Sequence, residues 1–294
     1  ASLTGLALLT TPSSAGKTGK ILANGLTFAY VEEGSGSPLI LVHGSVSDYR
    51  EWSDQMESLA RHYHVIAYSR RYHWPNLPPG NDADASLDRQ ADDLAAIIQA
   101  MRIAPAHIVG HSYGGAVALV LTLRHPELVR TLVLAEPAVS GILADGPENE
   151  AVSKESQAIR AEMKEVFGSG NAERIVRTYA AHVAPGEYEK ALPEVRQMLI
   201  ANAPAFQLDF TSRRSSLTCD DARRIALPVL IVAGDRSPIG LQRIAEAAAR
   251  CITEARFIKI PQATHWMQHD HAQEFNGAVL TFLTERGGKS ARHR

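Results

Sequence analysis

The chain has 294 residues, 45% of them hydrophobic, and its 30 Lys and Arg against 32 Asp and Glu leave a formal charge of −2. That length suffices for a full buried core, and the near-neutral balance gives no broad attraction for nucleic acid or an anionic bilayer, so neither is expected as a partner. No apolar run approaches the roughly 20 residues of a membrane span, so a soluble protein is expected, cytoplasmic or exported.

The opening stretch ASLTGLALLTTPSSAGKTGK has an apolar patch at Leu6 to Leu9 and small residues up to Ala15. It fits either the remnant of a secretory leader lacking a basic start or an N-terminal arm, over residues 1–18. Its TPSSAGKT imitates a phosphate-binding loop but has Thr11 in place of the first glycine. The adjoining GKILANGLTFAYVEEGSG reads as a strand hairpin turned at Asn24-Gly25, not as the helix that would hold phosphate.

Short apolar, β-branched runs then predict strands at 38–43, 64–69, 107–110, 129–136, 228–235 and 255–261, of the kind buried in parallel sheets. Between them, 86–102 and 241–251 carry apolar residues at helical spacing. The alternation predicts an α/β fold, a mostly parallel central sheet flanked by helices. From 139 to 219 the chain is charged and helical without a convincing strand, which marks an inserted helical cap. The core is expected in two parts, 19–138 and 220–294, and the end RGGKSARHR reads as a tail.

One strand runs directly into a helix through GHSYGG, Gly110 to Gly115. Glycine costs roughly 0.5–1 kcal/mol in a regular element, so something local must need the missing side chains. A residue held at the tip of a tight strand-to-helix turn places a hydroxyl at the carboxyl edge of the sheet, and Gly110 and Gly114 would let the turn close around Ser112: the nucleophile elbow G-x-S-x-G. The bare pattern is weak evidence in a chain of this length; a strand before and a helix after strengthen it.

A serine hydroxyl needs a base, and the base needs a carboxylate to fix its tautomer and balance its charge. Asp235 follows the strand PVLIVAG, and His265 stands in QATHWMQHD after the last strand, giving the order Ser, Asp, His expected on this sheet. Taken alone, Asp235 is as well explained by a turn and His265 by a satisfied surface histidine. Glu136, at the end of RTLVLA, is a second candidate for the acid. Asp235 is favoured, because Glu136 is followed at once by Pro137 and the start of the cap.

Together Ser112, Asp235 and His265 resemble the α/β-hydrolase superfamily, over about 20–283 of the chain; AGDRSP is similar to that family's usual acid turn, and the resemblance also implies Glu136 as the alternative, since some relatives carry the acid there. The resemblance implies that His43-Gly44 in LILVHGSVSDYREW opens an oxyanion loop, with the backbone N–H groups of Ser45 and Tyr113 as donors and His43 orienting the loop. It implies a cap covering the site and a serine mechanism, as against the elbow aspartate of dehalogenases and epoxide hydrolases. Where relatives carry Asp-x-Arg-Gly-x-Gly, this chain has Ser69 to Trp74, SRRYHW. Either Arg71 anchors that loop and its aromatics pack, or Tyr72, His73 or Trp74 walls the pocket. His111, Trp74 and Trp266 are the candidate pocket residues, with simple packing as the alternative for His111.

The expected function is hydrolysis of a small-molecule carboxylic ester or lactone, with no cofactor and no metal. Amide or carbon–carbon bond hydrolysis, peracid formation and a non-hydrolytic receptor of the same fold are the alternatives. The two cysteines, Cys219 and Cys251, offer no zinc spacing and at most one bridge.

Overall fold

The computed structural model describes residues 16–80, 83–143, 149–212 and 217–290. The alternatives for residues 1–15 and the last four residues of the tail therefore lie outside the described residues.

The sheet opens with the expected hairpin. Strands β1 (Lys17–Ala23) and β2 (Leu26–Glu33) pair antiparallel. Asn24 and Gly25 both take positive φ, 45° and 77°, as a two-residue turn matched to strand twist requires. Lys17 and Thr18, assigned to the arm by the sequence, pair with Glu32 and Val31 and so belong to the sheet.

The remaining strands are β3 (Pro38–Val42), β4 (His64–Tyr68), β5 (Ala106–His111), β6 (Val129–Ala135), β7 (Val229–Gly234) and β8 (Ala255–Ile260). The eight strands lie in the order β1-β2-β4-β3-β5-β6-β7-β8, and all pairings from β4 to β8 are parallel. Strands β3, β5, β6 and β7 are nearly or wholly buried, which is why their apolar runs are continuous. Strand β8 departs from that reading: at the sheet's edge it exposes Arg256, Phe257 and Lys259.

Helices α1 (Ser53–Ala60), α2 (Leu87–Met101) and α3 (Tyr113–Arg124) come from the first part of the chain. The segment between β6 and β7, which the sequence marks as a cap, holds α4 (Asn149–Gly168), α5 (Ala172–Val183), α6 (Glu187–Lys190), α7 (Pro193–Ala201) and α8 (Ala203–Thr211). The core resumes with α9 (Cys219–Arg223), α10 (Ile239–Cys251), α11 (Met267–Asp270) and α12 (Ala272–Ser290). Residues of α2, α3 and α10 pack with one face of the sheet, and Leu59 of α1 and Phe275 and Phe282 of α12 with the other. A disulfide joins Cys219 to Cys251, tying α9 to α10.

The chain leaves β3 toward β4 on one side, then crosses back to β5 on the other. The loops after β3 and β5 thus diverge at a switch point, where open parallel sheets form a crevice. The cap has a third apolar cluster, around Phe206, Phe167 and Val176, which takes in Val46 and Trp266 from the core's loops. No helix among the described residues is long and apolar enough to cross a membrane.

Candidate active site

Ser112 stands between β5 and α3 with φ 51° and ψ −116°, a region costly for any side chain and found where surrounding structure enforces it. The enforcement is visible. Ser112 N donates to Ala135 O on β6 at 2.8 Å, and Ser112 O accepts from Ala116 and Ala138 at 3.2 and 3.0 Å. The flanking glycines answer the question the sequence raised. A Cβ on Gly110 would sit 2.7 Å from Gly114 O and 2.8 Å from Gly115 Cα, and one on Gly114 would overlap the carbonyl oxygens of Val42 and His43.

His265 is buried in the loop after β8, and its Nδ1 lies 2.6 Å from Glu136 Oε2. A carboxylate can only accept when ionised, so this bond places a proton on Nδ1 and leaves Nε2 as the basic nitrogen. Burial is the largest influence on His265 and holds its pKa below the usual imidazole value; the Glu136 bond pulls the other way, and the charge of His111 adds to the lowering. Glu136 is wholly buried, and its Oε1 also accepts from Gly234 N at 2.9 Å. Its φ of 42° turns the side chain across the ends of β6 and β7.

The favoured acid is therefore corrected. Asp235 is exposed and contacts the turn after β8, where its Oδ1 accepts from Gln262 N at 2.5 Å. The carboxylate beside His265 is the second candidate, Glu136, because the backbone twist at the end of β6 directs it inward, whereas Asp235 is drawn to a turn.

Ser112, His265 and His111 line one cavity, together with Ser45 of the loop after β3. Tyr113 borders a second hollow that shares Ser45 and Ser112. The loop from His43 to Ser45 is tightly held. His43 Nδ1 donates to Gly44 O at 2.8 Å, while its Nε2 accepts from Arg70 N at 2.9 Å, which fixes a neutral ring; burial first, then Arg70, hold its pKa well below the usual value. Arg70 Nη2 also donates to Gly44 O at 2.9 Å. In a trans peptide the Ser45 N–H points opposite that carbonyl.

The loop from Ser69 to Trp74 follows the anchoring alternative. Arg71 forms a two-pronged bond to Asp93, at 2.5 and 2.7 Å, and reaches Asp84 O at 2.6 Å. Trp74 is corrected as a pocket residue: it is 41% exposed, with the Arg50 guanidinium 3.8 Å from its ring centroid, and Asn202 of the cap accepts from its backbone N–H. Tyr72 lines a separate surface groove with Leu26 and Phe28. His73 is fully buried against the cap, with Nε2 3.1 Å from Asp209 Oδ2. His111 and Trp266 do line the cavity.

Sequence reasoning missed most of the wall. Tyr179, Val183, Val195, Met198 and Leu199 of the cap close the cavity beside Trp266, and nothing in their helical spacing separates a cavity face from a packing face. It also missed Glu51, whose Oε1 meets His111 Nδ1 at 2.9 Å and whose Oε2 accepts from Gly44 N at 3.0 Å. Arg70 and Asp209, which form a buried ion pair between core and cap at 2.9 Å, were likewise missed. Among the described residues no group of three His, Cys, Asp or Glu side chains could hold a metal ion.

The model of the alpha/beta hydrolase fold family matches residues 37–272, and the chain belongs to that family. It is 29% identical over 279 residues to a 2-hydroxymuconate semialdehyde hydrolase of Pseudomonas sp. (strain CF600), covering 90% of this chain and 93% of the relative. A putative carbamate hydrolase of Azorhizobium caulinodans is 26% identical over 87% of this chain and 94% of its own. A thermophilic esterase from Thermogutta terrifontis superposes with a TM-score of 0.73 at 24% identity, over 92% of this chain and 99% of that one, and shares the fold.

Proposed function

We propose that the protein is a serine hydrolase of carboxylic esters or lactones with Ser112, His265 and Glu136 as its triad. The observation that carries this reading is the 2.6 Å contact between His265 Nδ1 and Glu136 Oε2, in a cavity that the histidine shares with the strained Ser112. Ser112 Oγ attacks the acyl carbonyl as His265 Nε2 takes its proton, and Glu136 balances the imidazolium that forms. The N–H groups of Ser45 and Tyr113 receive the developing oxyanion, a contribution worth about 10²–10³ in turnover per donor. Collapse of the adduct expels the alcohol, which takes the proton from His265 and leaves the acyl group on Ser112. Water, deprotonated by the same nitrogen, then releases the acid.

Tyr179, Val183, Val195, Met198, Leu199 and Trp266 form a largely apolar wall, which suits an apolar acyl or alcohol group. The likeness to a 2-hydroxymuconate semialdehyde hydrolase favours that semialdehyde as a second substrate to test on the same triad. Intact mass after a fluorophosphonate probe, with a panel of aryl esters, lactones and the semialdehyde, tests both readings. One adduct is expected on the wild-type protein and none on Ser112→Ala. A label that persists on the variant, or ester turnover equal in the two proteins, removes Ser112 from its role.

A further inference from the structure

Two histidines of β5, His107 and His111, stand four positions apart and meet different surroundings. His107 hydrogen bonds Thr131 Oγ1 at 2.7 Å, and burial pushes its pKa down to about 4. His111, equally enclosed, has an acceptor at each ring nitrogen: the Glu51 carboxylate at Nδ1 and the His265 carbonyl at Nε2, both at 2.9 Å. Neither partner can donate, since one is a carboxylate and the other a carbonyl. Burial works against the charge of Glu51, but His111 and the Gly44 N–H outweigh it and lower its pKa, and with that carboxylate ionised both bonds form together only if the ring carries two protons and hence a positive charge. Gln268 Nε2 lies 3.3 Å from His111 Nδ1 and its Oε1 is buried without a partner; beside a ring protonated at Nδ1 the amide takes the opposite orientation, with its oxygen toward that nitrogen.

Every contact of the pair reaches a part of the site. Glu51 Oε2 holds Gly44 N, at the start of the oxyanion loop. His111 precedes Ser112 in the chain, and its Nε2 holds the backbone of His265, whose ring centroid lies 4.6 Å from its own. We infer that Glu51 and His111 form a buried carboxylate–imidazolium pair that positions the oxyanion loop and the base's main chain around Ser112. The inference rests on the serine-hydrolase reading for its kinetic consequences. Glu51 and His111 are positioning residues: they act through Gly44 and His265.

The titratable groups facing His111 are Glu51, Glu136, His265 and His43, and His269 faces Glu51 from α11. Burial alone would strip the proton from His111; Glu51, the His265 carbonyl and Glu136 outweigh it and raise its pKa. The resulting cation opposes protonation of His265. It should therefore hasten the return of the proton to the leaving group.

The test has two arms. In the wild-type protein, ¹⁵N shifts of the His111 ring should show both nitrogens protonated at pH 7, whether or not any ester is turned over. Kinetically, His111→Gln and Glu51→Gln should each lower kcat at least tenfold with KM changed less than threefold, and the double variant should lose no more than the worse single, as groups acting as one unit do. His111→Gln leaves Glu51 facing His265 without its cation, so the acid limb of kcat/KM should move to higher pH; the double variant should restore it. A neutral His111 ring at pH 7 overturns the pair, as do folded single variants with kcat within twofold and an unmoved limb. Failure of the hydrolase reading looks different: the wild type takes no fluorophosphonate label. If the variants do not fold, the ring shifts of the wild type still decide.

Discussion

Two carboxylates stand at the ends of neighbouring strands, and their surroundings could hardly differ more. Glu136, after β6, is sealed from solvent and satisfies two N–H donors, from His265 and Gly234. Asp235, after β7, is exposed and satisfies one, the backbone N–H of Gln262. The strand end supplies a position near the crevice; the backbone angle at that position decides where the side chain goes. A φ of 42° at Glu136 turns its side chain inward, and the chain accepts that strain because the two hydrogen bonds and the Pro137 junction to the cap over-determine it.

The largest effect expected from this comparison is on turnover. In Glu136→Gln the histidine keeps its place but loses the acceptor that fixes its tautomer, a change that costs about 10⁴ in a well-studied serine protease. Glu136→Gln should lose three to four decades in kcat on an aryl ester with an unchanged circular dichroism spectrum, and Asp235→Asn less than one decade. A reversed ranking would break the comparison. Glu136→Asp sharpens it. Shortening the side chain by one methylene withdraws the carboxylate from its 2.6 Å contact. Since a misplacement of about 1 Å can cost 10²-fold, steady-state kinetics should show a loss of one to two decades, between wild type and Glu136→Gln.

What was legible in the sequence divides along the same line. The strands, the Asn24-Gly25 turn and the helical character of the stretch between β6 and β7 could be read because periodicity and turn chemistry are local properties of the chain. The edge position of β8 could not, since its exposure depends on which strand lacks a neighbour. The Ser112 elbow was legible because glycines in the sequence itself mark two close approaches, Gly110 that of β5 to α3 and Gly114 that of α3 to the end of β3. Choosing between Glu136 and Asp235 needed the φ of one residue, which no motif encodes. Glu51 carries no local signal at all: its partners, Gly44 and His111, are 7 and 60 residues away. Trp74 was misplaced for a related reason, because Arg50 and Asn202 hold it on the outer side of its loop.

The third effect is on the pH profile. Burial lowers the pKa of His265, and the neutral ring is the form that accepts the proton. Activity should therefore be lost only as pH falls through a value below the roughly 6.5 of a free imidazole. The Glu136 bond raises that pKa, so the residual activity of Glu136→Gln should keep its acid limb at still lower pH. Asp235→Asn should leave the limb where it is. The profile of kcat/KM against pH measures all three, and a limb displaced only in Asp235→Asn would return the acid to the end of β7.

The smallest effect belongs to Asp235 and concerns stability alone. Its bond to Gln262 N holds the turn after β8, where Gln262 has a φ of 63°. A hydrogen bond of this kind contributes about 0.5–1.5 kcal/mol net, and here the value should lie at the low end, because Gln262 is exposed and water can replace the lost carboxylate. At the scaling of domains above about 150 residues, that corresponds to a fall in Tm of roughly 1–3 °C for Asp235→Ala. Glycine adopts a positive φ without the cost that a side chain incurs there, so adding Gln262→Gly to Asp235→Ala should recover part of the loss. In Glu136→Ala the same accounting gives a different answer: Gly234 N and His265 Nδ1 lose their acceptor inside a sealed site, where an unsatisfied donor costs about 1–3 kcal/mol. Thermal denaturation of the two alanine variants should therefore rank Glu136 as the greater loss, in the same order as the kinetics and by a far smaller margin. Equal losses would mean that the site around Glu136 admits water.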